Sequence, residues 1–372
     1  MARDLHRLIS ESSGEFDFGV SLPRRRDLRI ALVGAGAIVN SAHLPAYAQA
    51  GFTVVGVLDI HQDRAEATAQ RFGIERTYRD LEELLSDPAV EIVDIAVTPT
   101  AQHAIAINAA ASGKHLLCQK PLAENFAAAA EIVSAAEVAG VKLAVNQQMR
   151  WTPLIACAKR LIEENSLGDP VFAAIRAHLL TDWSEWPWIV AGVRGDLLYH
   201  TIHYLDSMRY LFGLPEWVFS AGTRRSDEAL QLETATLTIL RYASGLHALI
   251  DVNHGVWADD RFATLRIEGL TGLIKGTIGL EYDPPHGRVD TIQIKTIDQY
   301  PEWTDPHPTG RWLPDAFVGP MASLMRAIED GKEPATSGRD HLDTLRLVFA
   351  GYRSMEERRA VAPSEIEVTQ QP

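Results

Sequence analysis

From Leu28 onward, short apolar runs alternate with amphipathic stretches at a regular interval. LRIALVGAGA predicts a buried strand running into glycines, and a helix is expected from about Val39 to Gln49. FTVVGVLDI predicts a second strand ending at Asp59, followed by a helix over 63–72 that Gly73 closes. A short helix over 80–85 leads to the strand EIVDIAVTP, and a helix running to Gly113 leads to HLLCQKP. A helix over 124–139 stops at Gly140, and VKLAVN adds a further strand. Strands this uniformly apolar need cover on both faces, so alternation with helices implies a parallel sheet of the α/β class. Right-handed crossovers make it doubly wound.

The pattern changes after residue 148. Segments 170–181, 215–224, 232–242, 246–254, 262–269, 272–278 and 289–297 read as strands, several with two-residue alternation and β-branched or aromatic content. RYASGLHALI predicts a hairpin turning at Ser244-Gly245. One helix is expected over Asp196–Phe212, and two more near 315–330 and 340–359. The chain is therefore divided into a polar extension (1–27), a doubly wound α/β domain (28–148), a second, strand-rich domain (149–362) whose final helices can pack back on the first, and a polar tail (363–372). A sheet with one polar and one apolar face calls for cover, and a second subunit would supply it.

Composition narrows the picture. With 372 residues there is room for two domains, and 46% hydrophobic content is the ordinary globular level. Lys and Arg total 35 against 49 Asp and Glu, a net charge of −14, which argues against nucleic acid or an anionic membrane as partner. No apolar stretch reaches the length of a membrane span, and the first 27 residues lack the apolar core of a signal peptide, so a cytoplasmic protein is expected. Cys118 and Cys157 belong to no Cys-x-x-Cys pair and read as reduced thiols. Arg24, Arg25 and Arg26 read as a solvated lead-in to the first strand.

The first candidate chemistry is Gly34-x-Gly36-x-x-Val39 at the end of the first strand. Two glycines there allow a tight turn and close approach of a pyrophosphate, with Ala37 and Ile38 opening the helix that faces it. Asp59, at the end of the second strand, is placed to accept ribose hydroxyl hydrogens and to repel a 2′-phosphate. NAD is thus expected rather than NADP, although His61 and Arg64 stand close enough to pair with such a phosphate. Thr98 and Pro99, with His103, mark another strand end, and Gln119-Lys120-Pro121 marks the next. Open parallel sheets bind ligands beyond these ends. Lys120 is expected near the nicotinamide, donating to a substrate hydroxyl oxygen.

These segments together resemble the glucose-fructose oxidoreductase/inositol dehydrogenase/MocA (Gfo/Idh/MocA) family. The resemblance rests on VGAGAIVNSAHLPAY, VTPTAQH, GKHLLCQKPLA, GVKLAVNQQMRWTP and GDLLYHTIHYLD, and runs from about Leu28 to Arg359. It implies a Rossmann domain followed by a domain with a large open, mainly antiparallel sheet. It also implies direct hydride exchange between NAD(P) and a polyhydroxylated small molecule, without a metal, in a homodimer or homotetramer. In the family pattern a lysine and a later Asp-x-x-x-His pair line the substrate site. Lys120 matches the lysine and His203 the histidine, whereas Tyr199 stands where the family has aspartate and Gln119 where it has glutamate.

On a continuous helix, Tyr199, His203 and Asp206 share a face, with His200 adjoining. His203 is the expected base for the hydroxyl proton, and Tyr199 either extends the relay or holds the substrate. Arg150 and Asp182 are expected to contact substrate hydroxyls. Trp183, Trp186 and Trp188 form either a core cluster or a platform for a sugar ring. The alternative to a metal-free site is an ion shared by His200 and His203, with Asp251 or His254 completing it. The alternatives to a dehydrogenase are an enzyme that oxidises transiently with tightly held NAD, and a nucleotide- or sugar-sensing regulator.

Overall fold

The computed structural model describes residues 20–282 and 287–367, and these fall into two compact units. One comprises Val20–Gln148 and Leu313–Asp343; the other comprises Met149–Trp312 and Thr344–Ile366.

In the first unit, β1 (Arg29–Val33), β2 (Thr53–Leu58), β3 (Arg76–Thr77), β4 (Ile92–Ile95), β5 (His115–Cys118) and β6 (Leu143–Val145) form one sheet in the order β3-β2-β1-β4-β5-β6. Every neighbouring pair runs parallel. The order reverses between β1 and β4, and a doubly wound sheet opens its ligand crevice at that point, beyond the strands' carboxyl ends. Helices α1 (Leu44–Ala50), α2 (Gln62–Phe72), α3 (Leu81–Ser86), α4 (Pro99–Ala111) and α5 (Phe126–Ala139) join the strands. Gly73 and Gly140 cap α2 and α5 in the left-handed conformation, at φ 67° and 68°. Val39, where the full fingerprint has its third glycine, is buried with Leu32, Val57 and Ala65. The chain makes a wide π turn over Val39–His43 before α1 begins.

In the second unit, α6 (Pro153–Glu163) precedes β7 (Pro170–His178). Three short pieces follow: α7 (Pro187–Val190), α8 (Asp196–Tyr199) and α9 (Ile202–Phe212). Then come β8 (Trp217–Thr223), β9 (Ala235–Arg241), β10 (His247–Asn253), β11 (Phe262–Gly269), β12 (Gly272–Thr277) and β13 (Thr291–Thr296). The seven strands lie in the order β13-β12-β11-β7-β10-β9-β8, antiparallel throughout except where β7 meets β10. Burial alternates along β10 and β11, so Ala248, Ile250, Ala263, Leu265 and Ile267 face the core. The hairpin between β9 and β10 turns at Gly245, with φ 98°.

Two expectations need correction and one an addition. The single helix expected over Asp196–Phe212 is broken, because His200 leaves helical geometry at φ −124° and ψ −55°. A local side-chain staple accounts for the break: the buried Asp196 carboxylate accepts from Thr201 Oγ1 at 2.7 Å and from Thr236 Oγ1 at 2.8 Å. Secondly, Arg24 is exposed as a solvated lead-in should be, its side chain 77% accessible, but it also meets Glu329 and Asp330, which the sequence reading did not include. Thirdly, the chain stays packed past Pro363: Val361 pairs with Val218, Glu365 holds Arg359, and Ile366 is buried. Residues 368–372 lie outside the described residues, as do 1–19.

Two helices complete the chain. α10 (Val318–Asp330) belongs to the first unit; α11 (Gly338–Glu357) starts there and belongs to the second from Thr344 onward. Just before α11, Ser337 bridges to Ala144, and Thr336 accepts the Val145 N–H at 2.8 Å, extending the sheet beyond β6.

Candidate active site

At the end of β1 the backbone turns with Gly34 at φ 107°, and a Cβ there would sit 2.3 Å from the Ala96 carbonyl oxygen. Only glycine fits. Gly36 is different: a Cβ on it would meet nothing within 4 Å, so its backbone faces open space, and helical geometry begins at Ala37 and Ile38. The Asp59 carboxylate accepts the Ala35 N–H at 2.7 Å and the His61 N–H at 2.9 Å. It therefore sits against the glycine turn. Open backbone at Gly36, a helix start and a carboxylate at the second strand end fit a dinucleotide, with the pyrophosphate over Gly36 and the ribose at Asp59.

Past Ala96, Thr98 takes the cap position of α4 and Pro99 its first turn. Inside α4, buried Gln102 clamps the next strand exit. Its Oε1 accepts the Gln119 N–H at 2.9 Å, and its Nε2 donates toward the carbonyls of Gln119 (2.9 Å), Pro121 (3.2 Å) and Leu122 (2.9 Å). Lys120 lies within this clamped segment, half-buried and joined to Pro121 by a cis peptide bond. The Gln119 side chain is itself held: Oε1 accepts the Lys120 N–H at 3.1 Å, and Nε2 donates to His43 Nε2 at 2.6 Å. The other His43 nitrogen meets Asp94 Oδ2 at 2.7 Å, and Tyr47 donates to the same oxygen at 2.7 Å. Burial, reinforced by the Asp94 charge, pushes the Tyr47 phenol well above the usual tyrosine range, so it remains a donor. His103 does not join this group; it lies one turn into α4 and meets Glu131 on α5 at 2.8 Å.

In the second unit His203 is buried on α9, edge-on to Trp312 with ring centroids 5.3 Å apart. Tyr199 is buried at the end of α8, beneath the edge of Trp188 at 5.1 Å. The break at His200 separates them, so Tyr199, His203 and Asp206 do not form one continuous helical face. Asp206 turns to Arg150, accepting from Nε at 2.7 Å and from Nη2 at 2.6 Å. Burial alone would raise the Asp206 pKa, but Arg150 outweighs it and holds the carboxyl at about 2. This corrects the expected role of Arg150: its guanidinium is engaged in a buried ion pair that anchors α9. Asp182 is exposed and caps its own turn, accepting from Ser184 N at 3.0 Å and Oγ at 2.6 Å. Trp183 is core, edge-on to His254 at 5.0 Å, whereas Trp186 and Trp188 remain 42% and 37% exposed.

His200 belongs to a different cluster from the one expected. Among the described residues, Asp196, His200 and His254 bring one ligand-type atom each within 4.8 Å of one another. His203 is outside this group, its ring centroid 6.5 Å from that of His200. Asp251 is elsewhere, paired with Arg176 and His178. Burial would raise the Asp196 pKa, but His254 and His200 hold it well below the usual carboxylate range. Cys118 and Cys157 are buried and in no disulfide.

His43, Asp94 and Gln102 are missing from the sequence-based candidates. Their signals are faint: a carboxylate inside the apolar run EIVDIAV, and polar side chains within SAHLPAY and TAQH.

Comparison with known proteins fits this geometry. Residues 28–147 match the model of an oxidoreductase family with an NAD-binding Rossmann fold, and residues 155–275 match the GFO/IDH/MocA C-terminal domain. A D-apiose dehydrogenase from Paraburkholderia graminis is 31% identical over 91% of this chain and 90% of its own. A myo-inositol 2-dehydrogenase from Thermotoga maritima is 26% identical over 91% of this chain and 99% of its own. An oxidoreductase from Agrobacterium radiobacter, solved with NAD+, L-tartaric acid and magnesium, superposes with a TM-score of 0.81 at 25% identity, covering 91% of this chain and 99% of that one. The chain belongs to the Gfo/Idh/MocA family and is an NAD-dependent oxidoreductase.

Proposed function

We propose that this chain interconverts a secondary alcohol and a ketone on a sugar, cyclitol or glycoside, preferring NAD to NADP. The observation that carries the reading is the nature of the relatives that match over most of the chain: dehydrogenases of D-apiose and myo-inositol. Bound NAD supplies a hydride acceptor. Gly34, Gly36, Ala37 and Ile38 hold its pyrophosphate, Asp59 its ribose hydroxyls, and Thr98, Pro99 and Gln119 line the adjoining strand ends. His203 takes the hydroxyl proton, suited to it by an imidazole's near-neutral affinity. Lys120 donates to a substrate hydroxyl oxygen, and Tyr199 adds a neutral phenol where relatives' pattern has a charge.

Assembly into a homodimer or homotetramer is part of the same reading. Phe172, Leu237, Ile239 and Leu249 lie partly exposed on the face of the second sheet away from its core, and a second copy would cover them. Size-exclusion with light scattering checks this, and a monomer at micromolar concentration refutes it.

The reaction is tested with D-apiose, myo-inositol and levoglucosan in the presence of NAD+ or NADP+, and with 1,5-anhydro-D-fructose and NADH, following NADH absorbance. Lys120→Met and His203→Asn should each lower kcat/KM by about 10²–10⁴ while leaving NAD affinity within about threefold. Tight NAD binding without turnover on any of these compounds would transfer the reading to a sensor or to transient oxidation with retained NAD.

A further inference from the structure

We propose that Asp196, His200 and His254 form a binding site for one divalent transition-metal ion of the zinc class. The three residues come from α8, from the break that follows it, and from the position just after β10. Asp196 Oδ1 lies 2.9 Å from His254 Nε2 and 3.7 Å from His200 Nδ1. Tetrahedral ligands about 2.1 Å from an ion stand about 3.4 Å apart, and these two edges bracket that spacing.

The second atom of each ligand is already held. His200 Nε2 faces the Glu281 carboxylate at 3.3 Å and Nδ1 faces Asp196 Oδ1; against burial these two carboxylates hold the ring's pKa up at about 9, so a bound ion would take the place of the Nδ1 proton. Nδ1 is buried and has no hydrogen-bond partner. Thr181 Oγ1 engages His254 Nδ1 at 2.7 Å, so Nε2 is directed at Asp196. Hydroxyls of Thr201 and Thr236 hold Asp196 Oδ2 and leave Oδ1 for the centre. Carboxylate–imidazole–metal chains of this kind orient the ligands at built metal sites. Asp196 and Glu281 also place two negative charges beside the centre, matching a dication. Two imidazoles and one carboxylate suit zinc, cobalt or nickel better than magnesium or calcium. Three protein ligands leave a fourth position for water or a ligand oxygen.

The test uses the full-length chain without a histidine tag. After exposure to ZnCl2 and gel filtration, elemental analysis should find about one zinc per chain, and CoCl2 should produce visible d–d bands that zinc abolishes. Zinc should bind on the order of tenfold or more tightly than magnesium. His254→Ala and His200→Ala should each remove the cobalt bands, whereas His178→Ala should keep them. The partly exposed position of His200 covers the case in which the buried His254 variant fails to fold, with circular dichroism as the check on both. Wild-type protein that leaves the column without zinc and gives no cobalt bands overturns the proposal. So do a folded His200→Ala variant and a folded His254→Ala variant that bind as wild type does.

Discussion

Replacing Arg150 with methionine separates the role expected from sequence from the role seen in the structure. Arg150 and Asp206 have side chains 3% and 1% exposed, so solvent screening does not weaken their pairing. Truncating one partner of a buried, hydrogen-bonded pair costs about 3–5 kcal/mol, because the other charge is left uncompensated. Here Asp206 keeps Thr344 Oγ1 at 2.6 Å and Arg209 Nη2 at 3.5 Å, which places the loss near the lower bound, about 3 kcal/mol. For a domain of this size that corresponds to a Tm decrease of roughly 6–12 °C. Arg150→Met should therefore unfold earlier in both thermal and urea transitions, while KM for the best substrate changes less than about threefold. Asp206→Asn should give a comparable loss, and the double variant should lose far less than the sum. A variant with wild-type stability and a KM raised more than about tenfold would refute the reasoning and return Arg150 to the substrate.

Other expectations follow from the same geometry. Gly36→Val should leave stability within about 0.5 kcal/mol and weaken NAD binding at least about tenfold in a fluorescence titration. Gly34→Ala should instead destabilise by about 2 kcal/mol or more through its positive φ and the Ala96 carbonyl, and normal urea stability would contradict this. Gln102→Leu takes the amide donor from the buried Pro121 and Leu122 carbonyls and the second acceptor from the Gln119 N–H, which keeps Ile95 O at 3.0 Å; it should reduce kcat about tenfold with a smaller change in KM, and unchanged kinetics would detach the clamp from Lys120. The Asp206 carboxyl titrates at about 2 in the folded chain, below its value when unfolded, so its stabilisation is present above pH ~4 and is lost as pH falls toward 2. About 1 kcal/mol of the stability difference between wild type and Asp206→Asn should vanish between pH 5 and pH 3, and a pH-independent difference would count against the ion pair.

The parallel sheet is legible in the sequence because strands buried on both faces leave continuous apolar runs, and left-handed glycines such as Gly73 and Gly140 end helices sharply. Alternation serves the second sheet equally well, and the strand read over 262–269 is Phe262–Gly269. Helical periodicity fails at 196–212 because it assumes that every residue keeps the same rotation. The buried Asp196 carboxylate recruits Thr201 from the next turn and Thr236 from a strand 40 residues away in sequence, and no local pattern encodes that. The same blindness explains Arg150: a guanidinium after NQQM looks available until Asp206, 56 positions later, occupies it. Gln102 and His43 escape notice because their function is to position main chain and amide groups, which gives neither residue a distinctive spacing. Lys120 stands out in the sequence because a cation directly follows a buried apolar strand, and the structure places it, half-buried, in the segment that Gln102 clamps.

The return of Leu313–Asp343 to the first unit has a consequence for biosynthesis. When Gln148 leaves the ribosome, the edge beyond β6 still lacks Thr336 and Ser337, and the Leu122 amide lacks His341, which accepts it at 3.4 Å. The nascent nucleotide unit must therefore wait, its last strand open to wrong pairing, until the whole second sheet and the segment through His341 have been translated.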